Sequence, residues 1–190
     1  MEQSLSRRVF VAINIPRQIQ EIVQEFQNKL GQDHLSINWV RPENFHITLA
    51  FLGDLSAREV SKLSDIADDI SENVSPFSIT FGKIGVMEGW HCSQTLYLEP
   101  KYNRNLLSLQ GHLQRELISE KMIKTTRRRF KPHLTIGKFG QRIDLDRKIW
   151  RRWQKVPISF SWQVESFAVM KSNINVRPVR YTKVHQISLI

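Results

Sequence analysis

Hydrophobic positions recur along this chain with two alternating periods, and the alternation predicts the order of its elements. The apolar run from Arg8 to Ile15 ends at Pro16 and predicts a buried strand, while apolar positions from Arg17 to Leu30 follow helical spacing. Later apolar runs predict further strands over 38–52, 77–87, 95–99, 130–139, 158–170 and 180–189. Helical spacing predicts further helices over 56–70, 103–121 and 145–154.

This element order predicts an α+β fold. Strands occur in adjacent runs as well as between helices, which favours antiparallel sheets covered by helices over a doubly wound parallel sheet. The second half of the chain repeats the first as an imperfect duplication, since each half supplies a helix pair, strands and one copy of a short motif. A length of 190 residues suits one domain with a sizeable core, or two small lobes that share one.

The repeated motif is His-x-Thr-x within a β-rich apolar run. It occurs as His46-Ile-Thr48-Leu and again as His133-Leu-Thr135-Ile, in a chain with only six histidines. On a strand, alternate side chains share a face, so each histidine points with its threonine away from the apolar neighbours. Two copies suggest paired chemistry at one site.

Two histidines that flank one group can act as general base and general acid. The unperturbed pKa near 6.5 lets one imidazole be neutral while the other is protonated, and threonine hydroxyls can donate to phosphate oxygens. Such a pair suits in-line displacement at phosphorus. A strained 2′,3′-cyclic phosphate is a natural substrate because it needs no metal to activate the leaving group. Neither motif contains Asp or Glu, so we expect no metal and no cofactor.

Charge and cysteine content narrow the setting. The formal net charge of +10 favours a polyanionic partner, although a basic surface without such a role is an equal alternative. Cys92 is the only cysteine, which excludes an intrachain disulfide and a cysteine-based zinc cluster. The first residues lack a signal-peptide pattern and no run approaches a membrane span, so we expect a soluble cytoplasmic protein.

The motifs and their flanks resemble a known family. The matching segments are RVFVAINIP at 8–16, WVRPENFHITLAFLGD at 39–54, RFKPHLTIGKF at 129–139, and FAVMKS followed by RYTKV near the end. The chain resembles the two-histidine phosphoesterases, and within them the prokaryotic RNA 2′,3′-cyclic phosphodiesterases, historically called 2′-5′ RNA ligases. This resemblance implies a single bilobal domain over 1–190 with pseudo-twofold symmetry, two antiparallel sheets around a central groove, and helices on the outer faces.

The resemblance also implies a reaction. Its members open 2′,3′-cyclic phosphate ends of RNA to 2′-phosphates without a metal, and weakly and reversibly ligate tRNA halves. His46 and His133 would be the catalytic pair, with Thr48 and Thr135 holding phosphate. The resemblance suggests that the first histidine is the acid and the second the base, but the sequence leaves their order open.

Basic residues near the second motif are further candidates for phosphate binding. Lys138 stands where related chains often carry arginine, and strict alternation would place Arg129 and Lys131 on the face of His133. Arg127 and Arg128 precede them, and a solvated turn is the competing interpretation for each of these residues.

Aromatic residues offer weaker candidates. Trp150 and Trp153 could stack RNA bases from the 145–154 helix, but their spacing favours the core. Phe10, Trp39 and Phe51 could wall a base pocket, and core packing is again favoured. His34, His91, His112 and His185 lie outside any motif, and we assign them no catalytic role.

Three functions remain open from the sequence. The first is hydrolysis of RNA 2′,3′-cyclic phosphate ends. The second is action on another phosphodiester, such as a cyclic nucleotide, an ADP-ribose cyclic phosphate or a 2′-5′ oligoadenylate. The third is an RNA-end-binding module without turnover. We expect a monomer because no heptad pattern is present.

Overall fold

Strands and helices alternate along the chain in the computed structural model, which describes residues 7–33, 35–88, 94–125, 129–140, 145–173 and 179–190. The strands are β1 (Arg7–Asn14), β2 (Asn38–Trp39), β3 (His46–Asp54), β4 (Phe77–Glu88), β5 (Gln94–Pro100), β6 (Leu134–Phe139), β7 (Phe160–Val164), β8 (Ser166–Asn173) and β9 (Arg180–Ser188). The helices are α1 (Arg17–Gly31), α2 (Ala57–Ser71), α3 (Arg104–Ser119) and α4 (Arg147–Lys155), and a short 3-10 helix spans Pro42–Asn44.

The strands form one antiparallel sheet in the order β7-β4-β5-β6-β3-β1-β8-β9, with β2 also paired to β6. This confirms the predicted α+β class. Apart from β2, the sheet consists of two four-stranded halves, which we call the β3 half (β3, β1, β8, β9) and the β6 half (β6, β5, β4, β7). Within the described residues, the halves pair at one position, where Ile47 of β3 lies opposite Leu134 of β6.

The helices bury the apolar stripes that the spacing predicted. Four leucines of α3 are fully buried, and α2 begins with the predicted capping box, in which the Glu59 amide donates to the Ser56 hydroxyl at 3.3 Å. Helices α2 and α3 pack against each other, and α3 contacts β3. In the β6 half, α1 contacts β7 and α4 contacts β4. The helices in the described ranges include none that is long and apolar enough to cross a membrane.

Three predicted strands differ from the structure. The strand predicted over 38–52 is divided into β2 and β3 by the 3-10 helix, because Pro42 fixes its own φ and cannot donate to a ladder. The strand predicted over 130–139 begins only at Leu134. The strand predicted over 158–170 is two strands separated at Glu165, because β7 pairs with β4 while β8 pairs with β1 in the other half.

Candidate active site

The pairing between the halves at Ile47 and Leu134 brings the two His-x-Thr motifs together. Ile47 and Leu134 are both 0% exposed and face the core, as the predicted alternation requires. Their neighbours His46, Thr48 and Thr135 are half-buried on the other face. His133, which directly precedes β6, is also half-buried.

The antiparallel register then sets which polar groups face each other. Counting outward from the Ile47–Leu134 pair, His46 comes opposite Thr135 and Thr48 comes opposite His133. Directly opposite side chains have Cβ atoms roughly 5 Å apart. The four polar side chains therefore share one small area, with a histidine from each half at diagonal corners.

Both imidazoles are held in the same way. Nδ1 of His46 lies 2.7 Å from the carbonyl oxygen of Asn44, and Nδ1 of His133 lies 2.8 Å from that of Lys131. A carbonyl oxygen only accepts, so Nδ1 carries the proton in both rings. Nε2 of each ring is left as the nitrogen that can exchange a proton with a ligand.

His46 lies among aromatic rings. The ring centroids of Phe10 and Tyr181 lie 5.0 and 5.1 Å from that of His46. Burial lowers the pKa of His46 below its ordinary value, against the opposing effect of the hydrogen bond to the Asn44 carbonyl. The positive charges of His133 and Lys138 lower this pKa further. At neutral pH, His46 is therefore neutral and its Nε2 is a proton acceptor.

His133 has a different neighbourhood. The ring of Tyr97 lies 5.8 Å away, nearly edge-on, and Nζ of Lys131 lies 4.9 Å from the Tyr97 centroid. A hydrogen bond with Tyr97 raises the pKa of Lys131, which keeps this side chain charged. Gly85 of β4 makes room for the tyrosine, since a Cβ there would lie 2.4 Å from Cζ of Tyr97.

A β-bulge turns Lys138 toward the site. Leu96 pairs with Gly137 and Tyr97 with Thr135, so the ladder skips Ile136. The bulge shifts the alternation by one residue, and Gly137 is buried while Lys138 is exposed. Strict alternation from Thr135 would have put Lys138 on the core face. Instead its charge reaches His46.

A matching bulge occurs in β3. Val11 pairs with Ala50 and Ala12 with Thr48, so the ladder skips Leu49. Phe51 then lies on the site face, where its ring is 6.2 Å from that of Phe10 and its surface is 74% exposed. Phe51 and Lys138 each stand five positions after the histidine of their motif.

At each bulge, a glutamine side chain from a helix donates a hydrogen bond to a backbone carbonyl. Gln27 of α1 is 5% exposed, and its Nε2 donates to the carbonyls of Ile136 at 2.7 Å and Val40 at 2.8 Å. Gln110 of α3 donates to the carbonyl of Leu49 at 3.4 Å. Ile136 and Leu49 are the fourth residues of the two motifs, so a helix amide contacts the same backbone position in each half.

The other predicted basic residues lie in different places. Arg129 is exposed in the stretch before β6 and makes no ion pair with another described residue. Residues 129–133 do not form a strand. Strand alternation therefore does not apply to them, and the expectation that it places Arg129 and Lys131 on the face of His133 is wrong. Lys131 nevertheless lies near His133 through Tyr97. Arg127 and Arg128 lie outside the described residues.

The remaining aromatic and histidine candidates are distributed as follows. Trp153 is 1% exposed and Trp150 packs against the core, which confirms core packing for both. Trp39 also packs against the core. Phe10 is buried but contacts His46, and Phe51 is exposed, so core packing is wrong for Phe51.

No candidate metal site is seen in the described ranges, where no three His, Cys, Asp or Glu side chains come together. His185 instead pairs with Asp68, with Nε2 to carboxylate distances of 2.8 and 2.9 Å. His34, His91 and Cys92 lie outside the described residues.

Tyr97 and Tyr181 are the site residues that sequence reasoning missed. Both lie outside the two motifs, on β5 and β9. A signal for Tyr97 was present in principle, because it is the large polar aromatic of the strand that pairs with the second motif. Tyr181 lies far from both motifs in sequence, and no local pattern links it to His46.

Comparison with known proteins agrees with this geometry. Residues 13–97 match the model of the family described as LigT like Phosphoesterase. The RNA 2′,3′-cyclic phosphodiesterase of Bacillus subtilis (strain 168) is 32% identical over 130 residues, which cover 68% of this chain and 69% of that protein. A protein of the same name from Aquifex aeolicus (strain VF5) is 26% identical over 188 residues, covering 96% of this chain and 97% of its own.

A solved structure shares the whole fold. The crystal structure of E. coli LigT complexed with 3′-AMP superposes with a TM-score of 0.77 at 25% identity, covering 97% of this chain and 98% of that one. Shared sequence and shared architecture thus extend over both motifs and both halves of the sheet. The chain belongs to the LigT-like phosphoesterases and is a hydrolase.

Proposed function

We propose that this protein is an RNA 2′,3′-cyclic phosphodiesterase that uses His46 and His133 as its proton carriers and leaves the phosphate on the 2′ oxygen. The observation that carries the proposal is the Ile47–Leu134 pair with its two flanking imidazoles, each with Nδ1 held by a backbone carbonyl. Each Nε2 can then transfer a proton, one at the attacking oxygen and the other at the leaving oxygen of one in-line displacement. The names of the relatives in Bacillus and Aquifex support the choice of substrate.

The lowered pKa of His46 supports its role as the base. Neutral Nε2 of His46 takes a proton from water as the water oxygen forms a bond to phosphorus. The bond from phosphorus to the 3′ oxygen breaks, and protonated His133 donates its Nε2 proton to that oxygen. This order is the reverse of the one that the family resemblance suggested.

The surrounding groups would stabilise charge on the phosphoryl oxygens. Thr48 and Thr135 carry hydroxyls that can donate to non-bridging oxygens, and Lys131 and Lys138 place positive charge on the side of His133. Exposed Phe51 offers a surface on which the terminal base can stack. The phosphate would then lie toward the β6 half and the base toward the β3 half.

The same step run with an RNA 5′-hydroxyl in place of water joins two RNA ends through a 2′-5′ linkage. The base, acid and phosphate contacts are unchanged, so weak ligation of fragments such as tRNA halves is expected at high concentrations of the 5′-hydroxyl end.

The test is incubation with an RNA oligonucleotide that ends in a 2′,3′-cyclic phosphate, with and without EDTA. A 2′-phosphate product is expected because the bond from phosphorus to the 3′ oxygen breaks. The same product is expected in EDTA because the two imidazoles supply both proton transfers. A 3′-phosphate product, or loss of turnover on chelation, would contradict the mechanism. Cleavage of a cyclic mononucleotide without cleavage of RNA would assign the site to a small cyclic phosphodiester instead.

A further inference from the structure

Helix α4 carries the most one-sided charge of the four helices. All nine of its residues are described, and they include five cationic side chains and no acidic one: Arg147, Lys148, Arg151, Arg152 and Lys155. By contrast, α2 carries two cationic and four acidic residues. All five cationic side chains of α4 are exposed. We call this surface the α4 cationic face.

The packing of α4 explains why these charges share one face. Trp153 is buried, while Ile149 and Trp150 pack against the core, and these three positions lie on one side of the helix. The helix is anchored at Asp33, whose carboxylate pairs with Arg152 and accepts from Nε1 of Trp153 at 2.5 Å. The cationic residues are left on the side that faces solvent.

The arrangement of these charges is unfavourable for the helix itself. Arg147, Arg151 and Lys155 form one row at i, i+4 spacing, and like charges at this spacing destabilise a helix. Arg147 and Lys148 also occupy the first turn, where the helix dipole disfavours positive charge, whereas Arg152 and Lys155 lie in the last turn, where the dipole favours it. Among the described residues, only Arg152 of the five forms an ion pair. Helix stability therefore accounts for Lys155 but not for Arg147 and Arg151.

We propose that the α4 cationic face binds the phosphate backbone of the RNA whose end occupies the active site. This inference rests on the proposed function. A row of cations that form no ion pair with the described residues, on a helix anchored to the core, complements a polyanion and requires no base sequence. A groove of about 590 Å³ lies between the ends of α1 and α4, where Lys29 and Lys155 flank the Asp33–Arg152 ion pair and extend the positive surface beyond the helix.

The topology sets the RNA length at which this contact begins. Ile136 points from β6 to the helix layer, where Gln27 of α1 contacts its carbonyl, while Thr135 points to the site. Helix α4 packs against β4, two strands away from β6 on this helix side. A path from the site around the half-sheet spans on the order of 20–30 Å, given the strand spacing and helix width. A few nucleotides bound at the site therefore do not reach this face, whereas a longer strand does.

The experiment compares two variants that each lose three positive charges. The test variant is Arg147→Gln, Arg151→Gln and Lys155→Gln. The control variant is Arg17→Gln, Arg58→Gln and Lys83→Gln, which removes three exposed cations from α1, α2 and β4. Binding is measured by fluorescence anisotropy with RNAs of 3 and 15 nucleotides from 50 to 200 mM salt. Hydrolysis of a cyclic mononucleotide is measured in parallel.

For the 15-mer, the test variant is expected to bind more weakly, with a log–log salt slope about 2 units shallower. Between 50 and 200 mM salt, this means that wild type loses about 20-fold more affinity than the test variant. The control variant should keep the wild-type slope within a fraction of a unit. The 3-mer affinity and the cyclic mononucleotide hydrolysis should be unchanged in both variants.

Equal 15-mer affinities and slopes for wild type and the test variant would overturn the proposal, as would an equal loss in the control variant. Sedimentation with anionic phospholipid vesicles that depends on α4, with RNA affinity unchanged, would assign the face to a lipid surface and also overturn it. The binding assay measures the contribution of α4 to RNA affinity and does not depend on turnover. Absence of hydrolysis by wild type would therefore refute the proposed function, while unchanged 15-mer binding in a hydrolysing enzyme would refute only this inference.

Discussion

The two halves of the molecule place the same motif in opposite surroundings. In the β3 half, His46 lies against Phe10 and Tyr181, and Phe51 stands five positions further along the strand. In the β6 half, Lys131 lies over Tyr97 beside His133, and Lys138 stands at the position that corresponds to Phe51. The two halves thus share one backbone arrangement, but the β3 half is the aromatic side of the site and the β6 half is the cationic side.

This difference explains how two chemically identical imidazoles can take different roles. Burial and nearby positive charge favour the neutral form of His46. The cations of the β6 half would hold the phosphoryl group next to the other imidazole. The backbone geometry supplies two proton carriers, and their surroundings differentiate them.

The largest expected effect tests whether both halves are needed. Replacing His46 or His133 by alanine should each lower kcat by about 10²–10⁴, because each change removes one proton transfer. Single-turnover hydrolysis of a cyclic phosphate measures the loss, and circular dichroism checks the fold. A rate near wild type in either variant would mean that one half suffices.

The next prediction separates the aromatic side from the cationic side. Phe51→Ala should raise KM for a nucleoside 2′,3′-cyclic phosphate about tenfold, because stacking of one base is worth about 1–3 kcal/mol. Ribose 2′,3′-cyclic phosphate, which lacks the base, should bind equally well to this variant. Lys138→Met should weaken both substrates alike. Loss of both substrates in Phe51→Ala would show that the aromatic side does not recognise the base.

Stability should reveal a second asymmetry between the halves. Gln27→Met removes two short hydrogen bonds made by a buried amide and should cost about 1–3 kcal/mol of unfolding free energy. Gln110→Met removes one contact of 3.4 Å from a half-buried side chain and should cost below about 1 kcal/mol. Urea denaturation of the two variants measures the difference. Equal losses of unfolding free energy would mean that the two glutamines stabilise their halves equally.

The smallest expected effect concerns pH. With His46 as the base, kcat/KM should fall as pH decreases through its lowered pKa, so the acidic limb lies below pH 6.5. Lys138→Met removes a positive charge that lowers this pKa, and should therefore move the acidic limb to higher pH. A pH–rate profile of both proteins checks the direction. An unchanged acidic limb would mean that this limb does not report His46.

The sequence predicted the parts of the site that depend on local periodicity. Alternation in the two motifs correctly separated Ile47 and Leu134 from the histidines and threonines around them. For Lys138, which the resemblance made a candidate, alternation alone would have indicated the core face, because a bulge adds a residue to the count and depends on pairing with another strand. Alternation also failed for the segment 129–133, which is not a strand. Tyr181 reaches His46 only because β9 joins the same half-sheet, and such a long-range contact leaves no pattern in a local window.

The switch of the chain at Glu165 means that no single cut divides the polypeptide into its two halves. The β3 half takes strands from the first and last thirds of the chain, and the β6 half takes β4 through β7 from between them. A product truncated near residue 165 would retain all of the β6 half but would expose the edge of β1 along its pairing with β8. An unprotected edge of this kind invites association with other chains, so premature termination should yield aggregates and not a smaller working enzyme.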